Sequence, residues 1–241
     1  MRKHPLLIAL AAVAVSYCFA SSAQSAEFNP PGIPVTSCDQ APPVNDTTSL
    51  LLDCGSKPQT GQLAVADVLT YGGSAIVITP PDGWTLIRDD SSPSTRQSLY
   101  WHVVEANEPN NETWTFSQPV DAQGVVVLLD GVADSDPIDT SNGNPGHSGT
   151  LTANPASTSS DGELVVAFYA TDFEGIGPGH NQPKNMNVIV DQEDTPFEYW
   201  ILAGFQGSSG DTGEVTCATP QLFNWVAAQV AFRTSTKTAS R

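Results

Sequence analysis

The sequence predicts an all-β protein, an antiparallel β-sandwich of jelly-roll type built from two related halves, with an immunoglobulin-like sandwich as the alternative. Three observations lead there. Runs of about 5–9 residues rich in Val, Thr, Tyr, Phe and Trp recur along the chain, separated by turn clusters such as "YGG", "PPDG", "NEPNN" and "SSGD". No stretch keeps a helical period, because Pro or Gly interrupts nearly every window long enough to hold one. Most tellingly, the chain reads twice. "GQLAVADVLTY" at 61–71 and "GELVVAFYATD" at 162–172 share five of eleven residues at an offset of 101.

Taken in order, the elements divide as follows. Residues 1–26, "MRKHPLLIALAAVAVSYCFASSAQSA", run from a basic start through a short apolar stretch to small residues. That is the order of a secretory signal peptide. Residues 27–56 read as a Pro-rich arm with little core, ending in "TSLLLDC", an edge strand. Export permits disulfides. Of the cysteines beyond the leader, Cys38 and Cys54 enclose a short loop and are the preferred pair, with Cys54–Cys217 left open. The sandwich itself is placed at 57–235, with half-repeats at 61–132 and 162–233 and a frayed tail at 236–241.

Inside the halves, further blocks return in the same order. "GWTLIRDD" (83–90) answers "NMNVIVDQ" (185–192), and "SLYWHVVEA" (98–106) answers "FEYWILAGF" (197–205) through its Tyr-Trp pair. "WTFSQ" (114–118) and "GVVVLLDGV" (124–132) answer "VTCAT" (215–219) and "WVAAQVAFR" (225–233). In "SLYWHVVE", Leu99, Trp101 and Val103 should face one way and Tyr100, His102 and Val104 the other. The uninterrupted "VVVLL" and "LVVAF" are expected at sheet centres, and His102 on an exposed strand position.

The motifs "TPPDGWTLIRDD", "LYWHVVEANEP", "ETWTFS" and "GVVVLLDGVADSDPID" resemble a widespread group of bacterial secreted β-sandwich modules, some of them parts of adhesin-like surface proteins. The resemblance spans roughly 57–235. It implies export and a sandwich fold, and adhesion in some of these modules, without naming a ligand.

Charge narrows the partners. The whole chain carries a formal −17, and the leader holds two of its nine basic residues and none of its 26 acids. Such a field repels phosphate, so nucleic acid is not an expected partner. No apolar run beyond the leader is long enough to cross a bilayer.

Candidate chemistry is sparse. Trp84, Tyr100, Tyr199 and Trp200 are the residues that could expose aromatic faces for stacking on sugar rings. "DGVADSDPIDTSNGN" brings Asp130, Asp134, Asp136 and Asp139, with Asn142, into one loop, a density of hard oxygen ligands that suits Ca²⁺, although turns recruit the same residues with no metal. Adjacent His147 and Ser148 lack the turn that presents a hydrolase serine. "DQEDTPFE" (Asp191, Glu193, Asp194, Glu198) offers carboxylates for glycoside hydrolysis, or a solvated loop. The leading expectation is a secreted, non-enzymatic binding or adhesion module whose partner is an extracellular glycan or a surface or matrix protein. A self-assembling subunit of a surface layer or filament comes second and a polysaccharide hydrolase third.

Overall fold

The computed structural model describes residues 18–20, 35–39, 41–55, 58–172, 186–192 and 197–235. Most of the leader, residues 21–34 and the tail therefore lie outside the described residues. The fold is the antiparallel all-β sandwich expected from the sequence.

Fifteen strands follow in chain order: β1 (Cys18–Ala20), β2 (Val35–Ser37), β3 (Ala41–Asp53), β4 (Leu63–Tyr71), β5 (Ile78–Thr79), β6 (Thr85–Ser91), β7 (Thr95–Val103) and β8 (Asn111–Leu129). The second half continues with β9 (Ile138–Ala153), β10 (Ser157–Thr158), β11 (Glu163–Thr171), β12 (Asn187–Gln192), β13 (Glu198–Gln206), β14 (Gly210–Asp211) and β15 (Val215–Phe232). Each half supplies one sheet. The first runs β8-β4-β7-β6, with β2, β3 and β5 also on β8; the second runs β15-β11-β13-β12, with β9 and β1 also on β15. Strands β10 and β14 pair separately.

The two sheets repeat each other in order and in detail. Leu63 sits between Val103 and Leu129, as Leu164 sits between Phe205 and Phe232. The outer strand of each sheet carries an irregularity at the matching place, between Leu86 and Arg88 in β6 and between Val188 and Val190 in β12. Such a bulge re-aims the side chains beyond it.

Register also corrects one sequence match. Tyr100 pairs with Ala66 and Leu86, and the residue in that place in the second sheet is Leu202, which pairs with Ala167 and Val188. The Tyr-Trp blocks therefore align by identity three residues away from their structural register. An odd slip exchanges faces. Tyr100 consequently belongs to the outer face of its sheet, whereas Tyr199 packs in the sandwich interior.

Both faces of each sheet are covered, which is why the central strands read as continuous apolar runs rather than alternations. Between the sheets lies one core, with Leu63, Val65, Leu99 and Val127 meeting Val166, Phe168, Ile201 and Phe232. A second core covers the outside of the first sheet around Trp114, Leu50, Leu52 and Val126, and a third the outside of the second around Tyr169, Trp200, Met186 and Leu151. Each fully buried side chain of this size stabilises the fold by about 1.5–3 kcal/mol.

The segment before the first half does more than the sequence suggested. Residues of β3 run along β8 with several register shifts, and Leu50 and Leu52 are almost fully buried. A Cys38–Cys54 disulfide closes the segment. Cys217 is also disulfide-bonded, and its register partner across β1 is Cys18. That removes the Cys54–Cys217 alternative.

Candidate functional site

A recess opens on the outer face of the first sheet. It is shallow, with about 20 Å³ of enclosed space, room for about one water molecule. Its floor is Ala64 of β4 with Val126 and Leu128 of β8, the small and branched side chains that alternate outward on those strands. Leu52 and the Cys38–Cys54 disulfide form one wall, Trp84 another. The rim is the loop from Val104 to Asn111, which brings Glu108, Pro109 and Asn110, and Glu112 follows at the start of β8.

The turn "PPDG" places Trp84. Trp84 N–H donates to Pro81 O at 3.4 Å, and Gly83 at the third turn position has φ 88°. Glycine reaches that left-handed conformation without steric cost. The same glycine lets His102 approach, since a Cβ there would meet the imidazole at 3.1 Å. Trp84 then packs over His102 at a centroid distance of 5.5 Å and edge-on to Trp114 at 5.0 Å, with Tyr100 against Trp114 at 6.3 Å. The indole N–H groups of Trp84 and Trp114 are buried without a protein acceptor.

The rim is electrostatically organised. His102 Nδ1 faces Gly83 O at 3.2 Å and its Nε2 lies 3.1 Å from Glu108 Oε2. The same Glu108 oxygen accepts the Glu105 N–H at 3.1 Å, and the Glu112 carboxyl is near enough to interact with it. Burial works to raise Glu108, but the hydrogen bonds from His102 and Glu105 hold it below the usual glutamate range. Glu112 moves the other way, raised by burial and by the negative charge of Glu108. The negative charge on Glu108 thus disfavours ionisation of its neighbour.

Most of the residues singled out from sequence lie elsewhere. Tyr100, Tyr199 and Trp200 are buried, and Trp84 is only 9 % exposed, so the four do not form a stacking platform. Their outward and inward faces are both covered by neighbouring strands. Trp84 and Tyr100 are brought together, while Tyr199 lies between the sheets and Trp200 on the far side of the second.

The acidic loop is tied down by protein groups rather than arranged around an ion. Asp130 accepts from Gln62, Asp136 pairs with Arg233 at 2.9 Å, and Asp139 accepts from Ser159 and Arg233. Among the described residues, no three His, Cys, Asp or Glu side chains converge as a metal site. Asp139 is held below the usual range by Ser159 and Arg233 despite its burial. Its neighbour Glu163 is pushed up to about 7 by burial and by the charge of Asp139.

Ser148 Oγ accepts from Trp225 and donates to Thr150 O, while His147 faces Asn224, so the two adjacent residues do not form a nucleophile–base pair. Of "DQEDTPFE", Glu193 and Asp194 lie outside the described residues, and Glu198 is buried.

His102, Glu108 and Glu112 are what sequence reasoning missed. The available signal was "WHVVEANEPNNE", a histidine-bearing strand running into an acidic turn. His102 is not on an exposed face, because Trp84 and Glu108 cover it.

Fold and site together define an antiparallel β-sandwich with a half-apolar, half-acidic recess on one sheet. No family model, curated protein or solved structure matches the chain significantly.

Proposed function

We propose that the protein is exported and acts as a non-enzymatic binding module, with the Trp84 recess as its ligand site and a matrix or surface polypeptide as its partner. The recess carries this reading: apolar walls, an indole N–H without a partner and a carboxyl pair meet in one concavity. Small-ligand sites have this composition, mostly apolar with a few placed polar groups. Export is supported by the leader-like order of residues 1–26, the Cys38–Cys54 bridge and the resemblance to secreted modules. Among the described residues, no helix is long and apolar enough to cross a membrane.

Hydrolysis of a polysaccharide is less well supported. Glycoside hydrolysis needs two carboxyls flanking the bond to be cut, whereas Glu108 and Glu112 both sit on the rim of the recess. Burial of the four aromatics weakens the glycan reading in favour of a polypeptide. The test is to immobilise the protein against panels of matrix polypeptides and glycans, in parallel with Trp84→Ala. Polypeptide capture that the substitution abolishes while the fold survives supports the reading; capture indifferent to Trp84 overturns the site.

Self-assembly has one observation behind it. Cleavage after Ala26 would remove β1 and leave Val215–Cys217 of β15 open on that side, an edge on which a second copy could add a strand. Concentration-dependent light scattering of the processed chain tests this.

A further inference from the structure

We infer that the Asp136–Pro137 peptide bond is a site of self-cleavage, with the Asp136 carboxylate as nucleophile and the Arg233 guanidinium as the group that receives the developing oxyanion. This lies apart from the recess and stands whatever the recess binds.

Asp–Pro occurs once in the chain, in "DSDPID", on the connection between the two half-repeats. Proline makes the bond a tertiary amide, whose nitrogen leaves readily once it is protonated. Asp136 has φ 50°, although a residue before proline is sterically driven away from helical conformations towards extended ones. Backbone held in so sparse a region persists only where its surroundings enforce it, and such residues cluster at functional sites. Here the enforcement is visible: Pro137 O accepts the Arg233 N–H at 2.9 Å, and Ala133 N–H donates to Arg233 O at 2.9 Å.

The Arg233 side chain turns this strained bond into a reactive arrangement. Its Nη1 donates to the carbonyl oxygen of Asp136 at 2.7 Å and to Asp136 Oδ2 at 2.9 Å. Beyond the bond, the guanidinium is anchored on Ile138 O at 2.7 Å and on Asp139 Oδ1 at 2.8 Å. A cationic donor therefore already sits on the oxygen that gains negative charge when the carbonyl carbon is attacked. The Asp136 side chain is 85 % exposed, so water reaches it.

In the reaction, an Oδ of Asp136 adds to its own carbonyl carbon and closes a five-membered ring, a step made efficient by proximity. The C–N bond to Pro137 breaks, and the pyrrolidine nitrogen leaves as a secondary ammonium, taking two protons from solvent. One water then opens the cyclic anhydride left on Asp136. That step restores the side-chain carboxylate, creates a new α-carboxylate and returns two protons. The net change is hydrolysis of one peptide bond by one water, with no other reactant. The α-carboxylate forms on the carbonyl that Arg233 already holds, a charge-assisted contact that favours the product. The fragments stay together, because Leu63, Val65 and Val127 of the first half pack with Val166, Phe168 and Phe232 of the second. Ser235 N–H also donates to Gly131 O at 2.7 Å across the cut.

The experiment is incubation of the folded chain at pH 5 beside the same chain unfolded in guanidinium chloride, read by denaturing electrophoresis and mass spectrometry. The folded chain is expected to cleave faster than the unfolded one by about tenfold or more. One fragment should begin at Pro137, and the two should co-elute in gel filtration until denatured. Asp136→Ala removes the nucleophile, and Asp136→Glu keeps the charge but enlarges the ring, so both should leave the chain intact. Arg233→Lys, with its melting curve recorded, should slow cleavage by about tenfold or more. Cleavage no faster in the folded chain than in the unfolded one would reduce the bond to ordinary acid lability and overturn the inference. Cleavage that persists in Asp136→Ala would overturn the nucleophile, and an undiminished rate in folded Arg233→Lys would overturn the oxyanion role.

Discussion

The two sheets are built on the same strand order, yet what stands at equivalent positions differs sharply. Inside the sandwich, Leu69 is flanked by Gln97 and Gln123, while its counterpart Ala170 is flanked by Tyr199 and Val226. Two residues along, Asp67 stands where the second half has Phe168. The first half thus places a polar trio where the second places a large apolar one. On the outer faces, Trp84 and His102 of the first half correspond to Met186 and Gly204 of the second. The recess lies beside that tryptophan and histidine. A duplicated frame fixes where side chains point; what they do there is set site by site.

The largest expected effect comes from exchanging contents within that frame. Phe168→Ala empties a fully buried position and should cost about 3–5 kcal/mol in denaturant unfolding, whereas Asp67→Ala at pH 8 should cost far less. Equal losses would mean that the polar and apolar contents of the two sites contribute alike.

Next is the pH dependence of the polar trio. Asp67 is fully buried, accepts from Gln97 Nε2 at 2.9 Å, and is pushed up to about 8 by burial despite that hydrogen bond. Its folded-state value lies above the unfolded one of about 3.9, so the folded chain holds the proton more tightly. Its stabilising contribution is fullest below pH 4 and is lost as pH rises towards 8. Asp67→Asn keeps an acceptor for Gln97 and offers an amide to Gln97 Oε1 or Gln123 Oε1, which lack protein partners. The variant's advantage over wild type should grow by roughly 2–4 kcal/mol between pH 5 and pH 8. Parallel stability–pH curves for the two proteins would refute this.

Reduction of the Cys38–Cys54 bridge should remove about 2–3 kcal/mol. The Tm would fall by roughly 4–12 °C. Smallest is Gly83→Ala, about 1–2 kcal/mol from the left-handed backbone. Its more informative readout is a change in Trp84 fluorescence, because the added Cβ pushes on His102.

Much of the fold was legible because a strand's side chains alternate with a period of two and its turns need particular residues. "GQLAVADVLTY" and "GELVVAFYATD" do form equivalent central strands, β4 and β11. The Tyr-Trp pair misled for a physical reason. Identity is insensitive to a three-residue slip, but the faces of a strand are not, and Tyr100 and Tyr199 ended on opposite faces. The recess could not be read at all, since His102, Glu108 and Glu112 gain meaning only when the "PPDG" turn folds Trp84 over them.

What the sequence determined alone was local: strands, turns, the repeat, the acidic charge and a cysteine pair close enough to bridge. Tertiary structure decided which face each aromatic took, that Asp136 and Asp139 answer Arg233, and that Trp84 closes over His102 at a recess of the first sheet. The reason is that alternation names two faces without saying what covers either. Burial, and with it the shifts of Asp67, Glu112 and Glu163, depends on the strands and loops that close over them.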